Sequence, residues 1–273
     1  MKIKFAVVMI TILAIAGCSR GSGLPASAPV SAAPFTIEVG GSTSVTPLME
    51  MFAEEYNKLN PNIRVNINGT GSGDGINNAG VTYQIGMSSR ELTPAEQGRG
   101  LNAVVIAVDG IAVIVNKNNP VSNLSIEQIR EIYTGGITDW SQVGGAGGRI
   151  AVISREEGSG TRGAFEELAG FQGRLLAGAN ESTSTGAIKA GISQNPNAVG
   201  YISLGSVDDS IKAVSVGSAA PSTANVTSGA YKIARPFIIL TGNNVRAETA
   251  AFIQWMLSSA GQAIVSRSWI PVN

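Results

Sequence analysis

No histidine occurs among the 273 residues, there is a single cysteine, and charged side chains make up only 14% of the chain. Without an imidazole there is no Ser-His or Cys-His nucleophile pair, no histidine general base and no ordinary His-ligated zinc or copper site. One cysteine cannot close an internal disulfide. Basic and acidic residues balance at 19 each, so the basic face that nucleic-acid binding demands is missing and nucleic acid is not expected as a partner. Glycine is plentiful at 34 residues, and the hydrophobic fraction reaches 44%. That combination suits a chain with many tight turns and enough apolar material for a core.

The N-terminus reads as an export address. Lys2 and Lys4 precede an apolar run from Phe5 to Ala16, followed by Gly17 and the cysteine. As a helix this run rises about 18 Å, short of the roughly 30 Å hydrocarbon layer, so a permanent membrane span is not expected. Leu13-Ala14-Ile15-Ala16-Gly17-Cys18 resembles a bacterial lipobox, which implies cleavage before Cys18 and lipidation of its side chain. Residues 1–17 are then a lipoprotein signal peptide. Its removal takes two of the basic residues and leaves a slightly acidic balance. Residues 18–34 are rich in Ser, Gly, Ala and Pro without apolar periodicity, as expected of a flexible tether.

From Phe35 onward short apolar stretches alternate with amphipathic ones, the pattern of an α/β protein with largely parallel sheets. Strands are expected at Thr36–Val39, Ile63–Ile67, Val104–Val108, Ile111–Val115, Ile150–Ile153, Ala198–Ile202 and Pro236–Leu240. Pro47 marks the first turn of a helix whose core stripe is Leu48, Met51, Phe52, Tyr56 and Leu59. Ser125 and Gln128 form a capping box ahead of Ile126–Tyr133, and Ala250, Phe252, Ile253, Met256 and Leu257 stripe a C-terminal helix.

Three loops rich in Gly, Ser and Thr fall between an expected strand and a helix: Gly40–Ser44, Gly69–Gly73 and Glu157–Thr161. At such a junction the first helical N–H groups are unpaired and carry the positive end of the helix dipole, while glycine allows close approach. The third loop follows Arg155, whose planar fork can grip a tetrahedral oxyanion through two parallel hydrogen bonds or pair with Glu156 or Glu166. None of the loops fits a nucleotide-binding fingerprint. A small anion is the better match, with no cofactor and no metal.

Five segments together resemble the bacterial phosphate-binding proteins that serve ABC phosphate importers. They are Gly41-Ser42-Thr43-Ser44-Val45-Thr46-Pro47, Gly71-Ser72-Gly73-Asp74-Gly75, Ile85-Gly86-Met87-Ser88-Ser89-Arg90, Ser154-Arg155-Glu156-Glu157-Gly158-Ser159-Gly160-Thr161 and Asn197-Ala198-Val199-Gly200-Tyr201. The resemblance implies a two-lobed periplasmic-binding-protein fold of type II, each lobe a mixed sheet flanked by helices, joined by a two-crossover hinge. One lobe would take residues 35–109 and 240–273, the other 110–239. It also implies inorganic phosphate as ligand, held by Ser44, the Val45 N–H, Ser72, Arg155, Ser159, the Gly160 N–H and Thr161, with Thr43 as an extra donor. The implied protein is a monomeric receptor, not an enzyme, lipid-anchored in the cell envelope, that delivers phosphate to ABC permease subunits.

One position departs from the family pattern. Where well-known members carry an aspartate that accepts the ligand's proton and repels sulfate, this chain has Ser89, which can donate or accept. Asp74 and Asp109 are the candidates to replace that acceptor, each with a plainer reading as a cap or turn residue. Sulfate, molybdate or tungstate is therefore an alternative ligand, and a phosphate sensor without a permease an alternative role. A hydrolase using Ser44 or Ser159 as nucleophile lacks a base. Arg90 is either a second anion ligand or a partner of Glu91, and Ser182–Gly186 caps a helix or lines the cleft.

Overall fold

The computed structural model describes residues 33–273; the signal peptide, Cys18 and all of the tether but its last two residues lie outside the described residues. In chain order the elements are β1 (Phe35–Gly41), α1 (Thr46–Leu59), β2 (Ile63–Gly69), α2 (Ser72–Asn78), β3 (Ile85–Ser88), α3 (Pro94–Gln97), β4 (Asn102–Asn116) and β5 (Asn123–Leu124). After these come α4 (Ile126–Thr134), β6 (Ala151–Arg155), α5 (Gly160–Leu168), β7 (Asn180–Ser182), α6 (Thr185–Gln194), β8 (Ala198–Ser203), β9 (Ile211–Ala213) and β10 (Ser215–Val216). The chain ends with α7 (Thr223–Thr227), β11 (Ala234–Thr241), α8 (Ala247–Met256) and α9 (Ser259–Val265).

One sheet runs β2-β1-β3-β11-β4-β8-β6-β7, with β9 also paired to β4, and β5 pairs β10 separately. It is mixed rather than largely parallel. β1 is parallel to β2 and β3, and β6 to β7 and β8, whereas β11 opposes β3 and β4, and β4 opposes β8 and β9. The alternation of strand and helix was sufficient to expect α/β layers, but strand direction depends on long-range pairing that local pattern does not encode.

The strands expected at Val104–Val108 and Ile111–Val115 are one 15-residue strand, β4. Asp109-Gly110 looks like a turn in the sequence. In the fold Asp109 lies opposite Arg235 in the β4–β11 register, and Gly110 leaves space that Val226 and Leu204 fill, 3.0 and 3.2 Å from where a Cβ would stand. The first part of β4 pairs with β11 and the last part with β8 and β9.

Two large apolar cores flank that crossover. The first gathers Ile37, Val39, Leu48, Phe52, Phe237, Ile239, Phe252 and Trp269. The second gathers Ile111, Val113, Val115, Tyr133, Phe165, Phe171 and Tyr201. Opposite faces are covered as well, by Ala112, Ile114, Ile188 and Ile192 in one part and by Ile76, Ala79, Ile238 and Leu240 in the other. A strand buried on both faces reads as a continuous apolar run, which is how Ile111–Val115 reads. Local signals hold where they are strong: Ser125 and Gln128 form the expected capping box of α4, and Pro47 lies in the first turn of α1.

The strands β1, β2 and β6 deliver the three glycine-rich loops to helices α1, α2 and α5, so each loop leads from a strand's carboxyl end to a helix start. Gly41 makes this possible at the first: its φ is +131°, and a Cβ there would collide with the Met87 carbonyl.

Candidate functional site

The three loops meet along one seam. Ser44 Oγ lies 2.8 Å from Thr161 Oγ1 and 3.3 Å from Thr185 Oγ1, and Ser72 Oγ lies 3.4 Å from Ser89 Oγ. A Cβ added at Gly160 would strike Ser72 Oγ and Ser89 Oγ, so glycine is required where α5 faces these hydroxyls. Gly73 N–H donates across the seam to Gly158 C=O at 3.0 Å. Ser44, Ser72, Ser89, Ser159 and Thr161 are all buried.

Helix α5 points its start at this cluster. Ser159 is its N-cap and accepts the Arg162 N–H, which leaves the Ser159 hydroxyl proton free to donate. Among the described residues the Gly160 and Thr161 N–H groups donate to no protein acceptor, as the first turn of a helix dictates. They stand as two oriented donors backed by the helix dipole.

Arg155, at the end of β6, is only 2% exposed. Its Nε and Nη2 bind the two Glu156 carboxylate oxygens at 2.8 Å each, and Ser182 and Thr183 carbonyls accept weaker contacts at 3.2 and 3.4 Å. Glu156 is thus its carboxylate partner, whereas Glu166 pairs with Arg162. Among the described residues Nη1 has no hydrogen-bond partner. The backbone of Arg155 is fixed by Tyr201, whose hydroxyl accepts its N–H at 3.2 Å and meets Ser154 Oγ at 2.8 Å. Burial lifts the Tyr201 hydroxyl to about 12, so it remains a neutral donor.

Two expected donors are engaged elsewhere. The Val45 N–H already donates to Ser42 C=O at 3.1 Å, since Val45 is the N-cap of α1. Thr43 Oγ1 meets Thr185 Oγ1 at 3.2 Å and accepts the Thr185 N–H at 3.3 Å, which ties the first loop to the start of α6. Ser184 caps α6, and the neighbouring Thr185 lines the seam. That second role had only a faint signal in the sequence, a run of hydroxyl residues.

Neither candidate carboxylate is free. Asp74 accepts from Thr70, Asn78 and Tyr83. Asp109 accepts Ser203 Oγ at 2.8 Å and Arg235 Nη2 at 3.1 Å, and burial pushes its carboxyl up to about 6 against the pull of Arg235, Ser203 and the Gly205 N–H. Arg235 was missed in the sequence because its partners are more than a hundred residues away; its Nη1 donates to the Ser89 carbonyl at 3.0 Å. Arg90 is no seam donor either: it binds Glu96, not the Glu91 carboxylate, at 2.7 and 2.8 Å. Arg155 and Arg235 are each matched by a carboxylate. The seam thus offers oriented N–H and O–H dipoles rather than net positive charge.

A model of the PBP superfamily domain matches residues 26–260. The phosphate-binding protein PstS of Borreliella burgdorferi is 32% identical over 244 residues, covering 84% of this chain and 87% of its own. The chain belongs to the PBP superfamily, in its family of phosphate-binding proteins. PstS of Bacillus subtilis is 28% identical over 267 residues, with 94% of this chain and 88% of the other covered. Among solved structures, a phosphate ABC transporter substrate-binding protein of Clostridium perfringens, crystallised with phosphate, superposes with TM-score 0.86 at 43% identity, covering 87% of this chain and 100% of the other. An ABC-type phosphate transport receptor of Vibrio cholerae gives TM-score 0.71 at 39% identity over 86% of this chain and 99% of its own. The fold is the two-lobed α/β architecture of this superfamily.

Proposed function

We propose that this chain is an extracytoplasmic receptor that captures inorganic phosphate in the seam between two lobes and hands it to the permease of an ABC importer. The observation that carries this reading is the meeting of Ser44, Ser72, Ser89 and Thr161 on one buried seam at the start of α5, where Ser159 caps the helix and the Gly160 and Thr161 N–H groups are unpaired among the described residues. Family membership supports the ligand and the role. Thr43 and Val45 contribute to the first loop's shape, with Val45 N–H reaching a ligand only as a shared bond.

The lobes are drawn at the crossover strands, residues 35–109 with the C-terminal part against the middle of the chain. Because Phe237 and Ile239 pack in the first core, the return crossing is best placed near Arg235 rather than at residue 239. Anchoring through Cys18 and a monomeric state complete the reading. A Cys18→Ser chain is expected in the soluble fraction of cells; pelleting with membranes refutes the anchor.

Calorimetric titration with phosphate and with sulfate, at pH 6 and pH 8, tests the function. Phosphate binding in the micromolar range or tighter, roughly −8 kcal/mol or better, is expected. A protein that binds neither anion is no phosphate receptor. Sulfate remains the second reading, favoured because Asp74 and Asp109, the two candidate carboxylates, are both engaged by other groups among the described residues.

A further inference from the structure

Ser42 is not one of the expected ligand donors, yet it is tied to one that is. Its N–H donates to Met87 C=O at 3.0 Å, which seats the residue against β3. Its Oγ accepts the Ser44 N–H at 3.3 Å and donates to Ser89 Oγ at 2.9 Å. Ser89 is fixed from other sides: its N–H donates to Ser72 Oγ at 3.1 Å, and its carbonyl accepts Arg235 Nη1 at 3.0 Å. Ser42, Ser72 and Ser89 are all at most 2% exposed.

A serine hydroxyl carries one proton and two lone pairs. Ser42 fills one lone pair of Ser89, and accepting a hydrogen bond strengthens donation through the same oxygen. The Ser89 proton then has two destinations. One is Ser72 Oγ at 3.4 Å, a poor contact to an oxygen that already accepts the Ser89 N–H. The other is the side facing Gly160, which packs so closely that an added Cβ would strike both hydroxyls, so a ligand meets the Ser89 proton there once α5 draws back.

We propose that Ser42 is a specificity-determining positioning residue that makes Ser89 a donor, so that this side of the seam takes fully ionised tetrahedral oxyanions as well as protonated ones. The inference rests on the phosphate-site reading and deepens it by naming the ligand class: tetrahedral dianions, with no ligand proton required. A carboxylate at this point would bind the proton of a monohydrogen anion and repel a bare oxygen. The Ser42–Ser89 chain does neither. The nearby carboxylates do not substitute for one, because Asp109 is bonded to Arg235 and Ser203, and Glu156 to Arg155.

The test is titration of the full chain with inorganic phosphate and sulfate for the parent protein, Ser42→Ala, Ser42→Thr, Ser89→Ala and the Ser42→Ala/Ser89→Ala pair. The parent is expected to bind both anions, sulfate within about a hundredfold of phosphate, and Ser42→Ala to weaken sulfate about threefold to tenfold more than phosphate. Ser42→Thr keeps the hydroxyl and the parental ratio, and Ser42→Ala changes no ratio once Ser89 is alanine. Should the alanine variant fail to fold, Ser42→Cys, with its weak thiol donor, carries the same comparison. Equal weakening of both anions, or no sulfate binding at millimolar concentration, overturns the proposal while phosphate binding by the parent leaves the receptor reading standing. A parent that binds no phosphate overturns the receptor reading itself.

Discussion

Arg155 spends two of its three guanidinium nitrogens on Glu156, and among the described residues the third has no hydrogen-bond partner. If that third nitrogen serves the proposed ligand, Arg155→Ala takes away a charge-assisted donor, leaves Glu156 without its ion-pair partner and is expected to weaken phosphate at least about tenfold. Calorimetry reads the affinity, and an unchanged far-UV spectrum shows that the fold survives. Gly160→Ala probes closure instead. The added methyl meets Ser72 and Ser89 Oγ, and ligand affinity should drop by about a hundredfold while the unliganded melting temperature moves little; equal affinity would mean that α5 does not approach the hydroxyls in the bound state. The residues that were legible in the sequence, Ser44, Ser72, Arg155, Ser159 and Thr161, share a local signature: hydroxyls or a cation beside glycine between a strand and a helix. The link from Ser42 to Ser89 and the residue Arg235 carry no such mark, and Thr185 carries it only faintly, in the run Ser182–Gly186. Their partners lie 47, 146 and 141 residues away, and proximity of that kind is created by topology alone.

At the scale of elements, the β4–β11 ladder holds a buried ion pair, Asp109 with Arg235. Asp109→Leu removes the acceptor of both Arg235 and Ser203, leaves a buried guanidinium unpaired and should cost about 3–5 kcal/mol in urea unfolding. Burial raises the Asp109 carboxyl to about 6, above its unfolded value. Its contribution is therefore greatest at low pH and declines as pH rises through about 6. The Arg90–Glu96 pair at the start of α3 has the opposite sign. Hydrogen bonds from Arg90 hold Glu96 at about 2, against the rise that burial alone would give. Its stabilisation is full above the ordinary carboxylate range and is lost as pH falls toward 2. Urea midpoints of the parent and Arg90→Gln should differ at pH 6 and converge near pH 2; a constant gap would assign Arg90 a packing role. Elements with strong local grammar, such as α1 and the capped α4, were readable in advance. The short β3, with four buried residues, and the continuity of β4 were not, because a central strand is defined by its neighbours and Asp-Gly is as good a turn as it is a crossover.

On the scale of the whole molecule, two apolar cores share a single sheet, and on the proposed reading a ligand at their seam bonds to loops of both. Binding should then raise global stability by mass action, by about 4 kcal/mol when phosphate reaches a thousand times its dissociation constant, seen as a rise in melting temperature. A ligand-independent melting temperature would remove the anion from this seam. Sequence pattern sufficed for the α/β class, and the resemblance supplied the two lobes. The exact crossing on β11 was not accessible, since Phe237 and Ile239 are apolar residues that either core accepts. β4 belongs to both cores, Ile106 and Ala107 in one and Ile111, Val113 and Val115 in the other. Neither half keeps its central strand if the other melts, so the chain should lose structure in one cooperative step, and the amide protons of Ile106–Val115 should be among the last to exchange with solvent. On the proposed reading, closure of the lobes is then an elastic twist of an intact ribbon, restored by its own hydrogen bonds once the ligand leaves.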